Sequence, residues 1–179
     1  MILIRTNRRR RGRRRPRAVL ALSLLGLGLI GLAALDRPVP WLVWNASPSA
    51  PIGLYRVLLG KPVRGDLVLA HTPESVRKLA AERGYLPLNV PLVKRVAAAG
   101  GDIVCAIDDA ISINDRVVAE RLTRDRLGRP LPSWSGCHLL DGGEAFLLME
   151  GRADSFDSRY FGPVPTATII GRLAPLWVE

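Results

Sequence analysis

The run Pro91-Leu92-Val93-Lys94-Arg95-Val96-Ala97-Ala98-Ala99-Gly100-Gly101-Asp102-Ile103-Val104 decides the architecture. An apolar stretch, Val90 to Ala97, carries Lys94 and Arg95 inside it; Gly100-Gly101 breaks it, and a strand follows over Asp102 to Ala106. The pattern continues outward on both sides. Upstream, Gly53 to Leu58 and Asp66 to Ala70 read as short strands, separated by Gly60-Lys61-Pro62 and Arg64-Gly65. Residues 73 to 84 read as a short surface helix closing on Gly84. Downstream, Ile111 to Glu120 reads as a hairpin turning at Asn114-Asp115, and residues 121 to 136 as a Pro/Gly-rich loop. Glu144 to Met149 and Ala167 to Leu173 are further strands. Short strands, little helix and frequent turn residues predict a mainly β domain, a distorted barrel or packed sheets.

The N-terminus is of another character. Residues 1 to 17 hold nine arginines and no acid; without them 17 basic residues face 16 acidic ones, so the net charge of +10 belongs to the tail. Ala18 to Leu35 then runs without a charge. As a helix it spans roughly 27 Å, close to the ~30 Å of a hydrocarbon core. Arginines before it and Asp36-Arg37-Pro38 after it predict an N-terminus in the cytoplasm. The expected organisation is a basic cytoplasmic tail over 1–17, one transmembrane anchor over 18–35, and an extracytoplasmic β-rich domain over 36–179. Small Ala33 and Ala34 leave a cleaved secretory signal as the alternative, against which the length of the run argues. Trp41 and Trp44 suit either a lipid interface or an ordinary core.

Outside the cytoplasm, the isolated pair Cys105 and Cys137 reads as a disulfide. No metal is expected, because His71 and His138 are the only histidines and neither shows ligand spacing. A polyarginine tail beside a membrane span reads as lipid contact rather than nucleic-acid contact.

For hydrolytic chemistry the sequence lacks a G-x-S-x-G elbow, and His138 falls beside Cys137 in a segment read as loop. A serine nucleophile would then need another base. Lysine serves if burial lowers its pKa enough to leave it neutral. Within its own run Lys94 admits two readings, a side chain snorkelling to the surface or one deliberately buried.

Taken in order, five segments resemble the boxes of type I signal peptidases. Asn45-Ala46-Ser47-Pro48-Ser49-Ala50-Pro51-Ile52-Gly53-Leu54-Tyr55 is similar to the nucleophile box. Val63-Arg64-Gly65-Asp66-Leu67-Val68-Leu69 is similar to the next. Val93-Lys94-Arg95-Val96 with Gly100-Gly101-Asp102-Ile103-Val104 resembles the lysine box. Ile111-Ser112-Ile113-Asn114-Asp115 resembles its hairpin, with Asp where Gly is usual. Asp154-Ser155-Phe156-Asp157-Ser158-Arg159-Tyr160-Phe161-Gly162 is close to the last box. The single residue between Ser49 and Pro51, the cysteine pair and Gly128 to Cys137 resemble the TraF type found with conjugative plasmid transfer. Glu150-Gly151-Arg152-Ala153 departs from the usual pattern there.

The resemblance implies a membrane-anchored serine endopeptidase, without cofactor, acting on an exported precursor with small residues before the cut, a pilin precursor in the conjugative case. It implies Ser49 as nucleophile and Lys94 as general base. The Ser49 N–H and Ser47 hydroxyl become oxyanion donors, and Ser155 orients the lysine. Asp157 matches a third catalytic member; a structural partner of Arg159 or Arg95 is the alternative. Rival readings are a general signal peptidase, a cytoplasmic LexA-like autopeptidase, against which the apolar span argues, and a catalytically silent membrane-tethered module.

Overall fold

A computed structural model of the chain describes residues 16–35 and 39–179, with side chains for 18–31 and 39–179. The basic tail over 1–17 and the linker 36–38 fall almost wholly outside them. Two units result, Met1–Pro38 and Val39–Glu179.

In the first, helix α1 covers Pro16–Leu35. Pro16 stands at its first position, where a missing N–H costs nothing. Its residues from Ala18 to Gly31 are exposed apart from a half-buried Gly26. No helix among the described residues is long and apolar enough to cross a membrane; the side chains of 32–35, the rest of the expected span, lie outside the description.

The second unit consists of two antiparallel sheets. Its strands are β1 (Leu42–Asn45), β2 (Gly53–Leu58), β3 (Leu67–Ala70), β4 (Leu92–Ala99), β5 (Ile103–Ile107), β6 (Ala110–Ile113), β7 (Arg116–Glu120), β8 (Gly136–Leu139), β9 (Glu144–Leu148), β10 (Val164–Pro165) and β11 (Ile169–Val178). The order β1-β2-β11-β3-β4-β9-β10 makes a seven-stranded sheet, and β7-β6-β5-β8 a four-stranded one. Helix α2 (Glu74–Glu82) joins β3 to β4, and a single turn, α3 (Ser158–Phe161), follows β9.

The Gly100-Gly101 break is where the chain leaves the large sheet for the small one. A Cβ on Gly100 would lie 2.6 Å from the Asp141 carbonyl oxygen, so the backbones meet too closely for any side chain. Asp102 fixes the crossing: its carboxylate accepts from the Ala99 N–H at 3.0 Å and from Asn114 Nδ2 at 2.7 Å. The hairpin turn Asn114-Asp115 has φ of 49° and 64°, the left-handed pair that a two-residue turn demands. Asp tolerates this where Gly would be usual.

Both faces of β9 are buried, which shows that the large sheet is covered on two sides. Phe146 and Leu148 pack with Ala98, Val104, Ile111 and Ile113 between the sheets. Ala145 and Leu147 pack with Val68, Ala70, Val96 and Val164 on the opposite side. A register shift between Val96 and Ala98 aims these close neighbours at different cores. Each large side chain fully buried this way contributes about 1.5–3 kcal/mol.

Two expectations need correction. His138 lies in β8 rather than a loop; Cys137 stands directly opposite Cys105 of β5, and their disulfide ties this exposed, unpatterned segment to the sheet. The last strand begins at Ile169 and runs on to Val178, because a bulge between Pro175 and Trp177 absorbs the proline. Trp41 and Trp44, left open as core or interface, are 86% and 54% exposed. Trp44 stacks on Trp177 at 5.6 Å between ring centroids, both in the open.

Candidate active site

Three separate segments converge on one amine. β1 ends at Asn45 and β2 begins at Gly53; these two residues pair, closing loop 46–52. That loop carries Ser47-Pro48-Ser49-Ala50-Pro51. Lys94 stands on β4 opposite Val68 of β3, so its stem leaves the backbone inside the sheet. Ser155 lies in the turn between β9 and α3.

Lys94 is 4% exposed, yet its amine is not isolated. Nζ donates to Ser155 Oγ at 2.7 Å and to Ser49 Oγ at 3.2 Å. Burial holds the Lys94 pKa down to about 8, partly opposed by the charge of Asp157 and reinforced by that of Arg159. Of the two readings the sequence allowed, the snorkelling one is excluded.

Ser47 Oγ is 3.0 Å from Ser49 Oγ, and the Ser49 N–H donates to Ser47 Oγ at 3.4 Å. Both groups therefore stand at the mouth of the site beside the hydroxyl that faces the lysine.

Asp157 and Arg159 form a buried pair, 0% and 1% exposed. Arg159 Nε donates to Asp157 Oδ1 at 2.9 Å and Nη2 to Oδ2 at 2.8 Å. The backbone N–H groups of Arg159 and Met149 occupy the remaining sides of the carboxylate. None of these bonds reaches Lys94 or Ser49. Burial works against the guanidinium charge, but the bonds and charge of Asp157 raise the Arg159 pKa above its ordinary value. Arg159 also donates to the carbonyls of Met149, Arg152 and Ala153. Those carbonyls belong to the turn that delivers Ser155. Arg95, the other partner considered for Asp157, is exposed and donates to the Gly65 carbonyl instead. His138 bonds Glu144 at 2.7 Å on the exposed edge strand and takes no part in the cluster.

Sequence reasoning gave no role to Ser158 or Trp134. Ser158 Oγ accepts from the Leu147 N–H at 3.0 Å, and Trp134 Nε1 donates to the Ser158 carbonyl at 2.9 Å. These bonds lock α3 to β9 and to the loop before β8. Their only signal was a tryptophan in an otherwise polar loop, whose N–H needs a partner when half-buried.

A family model described as signal peptidase, peptidase S26, matches residues 15–177. The chain belongs to the S26 signal peptidase family. It is 33% identical over 142 residues to a plasmid transfer protein TraF from Escherichia coli, covering 74% of this chain and 80% of that one. A probable conjugal transfer protein TraF from Sinorhizobium fredii is 34% identical over 183 residues, 93% of this chain and 90% of its own. A probable thylakoidal processing peptidase 2 from Arabidopsis thaliana is 34% identical over 112 residues, 63% of this chain and 28% of that protein. Among solved structures, a signal peptidase I from Enterococcus faecalis matches at a TM-score of 0.39 and 23% identity, covering 65% of this chain and all of that one.

Proposed function

We propose that this S26 family member is a membrane-anchored serine endopeptidase that cleaves an exported precursor, a pilin precursor in conjugative transfer, with Ser49 as nucleophile and Lys94 as base. One observation carries the reading: the amine of a lysine only 4% exposed lies 3.2 Å from the hydroxyl of a half-buried serine. An ammonium there bears a desolvation cost that a purely structural lysine has no reason to bear.

In this reading neutral Lys94 takes the Ser49 proton as Oγ attacks the scissile carbonyl. The Ser49 N–H and the Ser47 hydroxyl exchange their mutual bond for the developing oxyanion. Lys94 then hands its proton to the leaving amine, and a water repeats the cycle on the acyl-enzyme. Ser155 orients the amine between these steps. Asp157 acts as a positioning residue: through Arg159 it holds the turn that presents Ser155.

In this reading the anchor is the uncharged run Ala18 to Leu35, oriented by the arginine tail so that the peptidase unit is extracytoplasmic. Exposed Trp41, Leu42, Trp44 and Trp177 give that unit an amphipathic edge suited to the headgroup region. The TraF names of several relatives support the conjugative substrate.

Full-length protein in detergent, given a precursor peptide with Ala-x-Ala before the cut, tests the chemistry. Ser49→Ala and Lys94→Ala are each expected to abolish cleavage while the fold survives; cleavage by Ser49→Ala ends the serine mechanism. Deletion of the gene is expected to stop mating without loss of viability, and lethality would point to a general signal peptidase.

A further inference from the structure

The nucleophile loop is poor in donors of its own. Pro48 and Pro51 have no N–H, so a seven-residue connection must present several carbonyls without the usual backbone partners. Asn45, the last residue of β1 and 5% exposed, supplies them. Its Nδ2 lies 3.0 Å from the Ser47 carbonyl oxygen, 3.1 Å from that of Ala50 and 2.9 Å from that of Pro51. Two protons are thus shared among three acceptors. Its Oδ1 accepts in return from the Ser47 N–H at 3.1 Å. The buried Tyr55 adds a second donor, its hydroxyl 2.7 Å from the Pro51 carbonyl oxygen. Along the chain Ser49 stands between the anchored carbonyls of Ser47 and Ala50.

We infer that Asn45, assisted by Tyr55, is a positioning residue that holds the Ser49 hydroxyl and N–H in register with Lys94 by gathering the carbonyls of Ser47, Ala50 and Pro51. This rests on the Ser49–Lys94 reading. Asn45 touches no substrate and leaves Lys94 alone, since the amine is buried by other elements and held by Ser155. Its loss therefore lowers the rate of the acyl-transfer step, neither weakening substrate binding nor changing the base. A displacement of about 1 Å at a reacting atom can cost on the order of a hundredfold.

Asn45→Ala, Asn45→Asp and Tyr55→Phe in the full chain, assayed in detergent on the Ala-x-Ala precursor peptide, test the inference. For both Asn45 variants kcat is expected to fall by about 10- to 100-fold with KM within about threefold, and for Asn45→Ala, which adds no charge, the acid limb of the pH profile is expected to stay unmoved. The ranking of the two decides the role. A residue that merely fills space makes isosteric Asp the milder change, whereas a donor facing three carbonyls makes Asp no better than Ala. Asn45→Asp tenfold more active than Asn45→Ala, or wild-type kcat in both, overturns the inference; so does a shifted acid limb in Asn45→Ala, which would place the effect on Lys94. Should both variants fail to fold, Tyr55→Phe decides: about a fivefold loss of kcat is expected, and an unchanged kcat overturns the inference. Active Asn45 variants beside an inactive Ser49→Ala would sink this inference alone, while an active Ser49→Ala would sink the dyad beneath it.

Discussion

Replacing Lys94 by methionine removes an amine that the fold holds near neutrality. The side chain keeps its volume and its flexible stem, so the cores around β3 and β4 are preserved. In the unfolded chain a lysine titrates near 10.5, and in the folded protein Lys94 titrates at about 8. Between these values the unfolded state binds the extra proton, so stability rises with pH across that window. The difference of about 2.5 units corresponds to about 3 kcal/mol of destabilisation, fully present below pH 8 and gone above pH 10.5. Methionine escapes that cost at neutral pH, but leaves the buried Ser155 hydroxyl without its partner, a loss of about 1–3 kcal/mol at every pH. Lys94→Met is thus expected to match or exceed wild-type stability at pH 7 and to fall below it by about 1–3 kcal/mol at pH 11. Urea unfolding of both proteins at matched pH values between 6 and 11 measures the difference, and the titration of every other group cancels in it. A gap between the two proteins that stays flat across pH would refute the claim that Lys94 carries a burial cost.

With Lys94 as the proposed base, kcat/KM is expected to rise through an acid limb near pH 8, measured on the precursor peptide, and a limb below pH 6 would remove Lys94 as base. Asp157→Ala leaves the Arg159 charge buried without its partner and should cost about 3–5 kcal/mol in thermal or urea unfolding, with cleavage lost in parallel as the Ser155 turn loosens. Reducing the Cys105–Cys137 bridge reopens a loop of 32 residues and should lower stability by about 3–4 kcal/mol, read as a shift of the urea midpoint with and without reductant. Gly100→Ala drives a methyl group into the Asp141 backbone, and a melting temperature equal to wild type would show that this crossing yields more easily than its geometry implies.

How far the sequence could be read depends on whether a residue's environment is made locally. The Asn114-Asp115 turn was legible because a two-residue connection between alternating strands restricts φ on its own. The Gly100-Gly101 break was legible for the same reason, although the Asp141 carbonyl behind it was not. β8 left no trace, because Gly136 to Leu139 is exposed throughout and carries no alternation; only the partner across the disulfide makes it a strand. The continuation of the final strand past Leu173 is not a local property, since a proline normally ends a ladder and the bulge beyond Pro175 accompanies its pairing with Tyr55.

Lys94 shows where local reading stops. Its neighbours Val93, Val96 and Ala97 are equally consistent with a lysine that lies along the surface and one that is drawn inward. What separates the two is the position of residues 45 and 61 places away along the chain, Ser49 and Ser155. Ser155 lies in a turn whose carbonyls Arg159 ties to Asp157, and Ser49 in a loop whose carbonyls are bound from the end of β1. The surroundings of the amine are thus assembled from segments that share no sequence neighbourhood with it. Motif order could name the participants, since each box marks one support, but the depressed pKa belongs to the assembled sheet and to no single box.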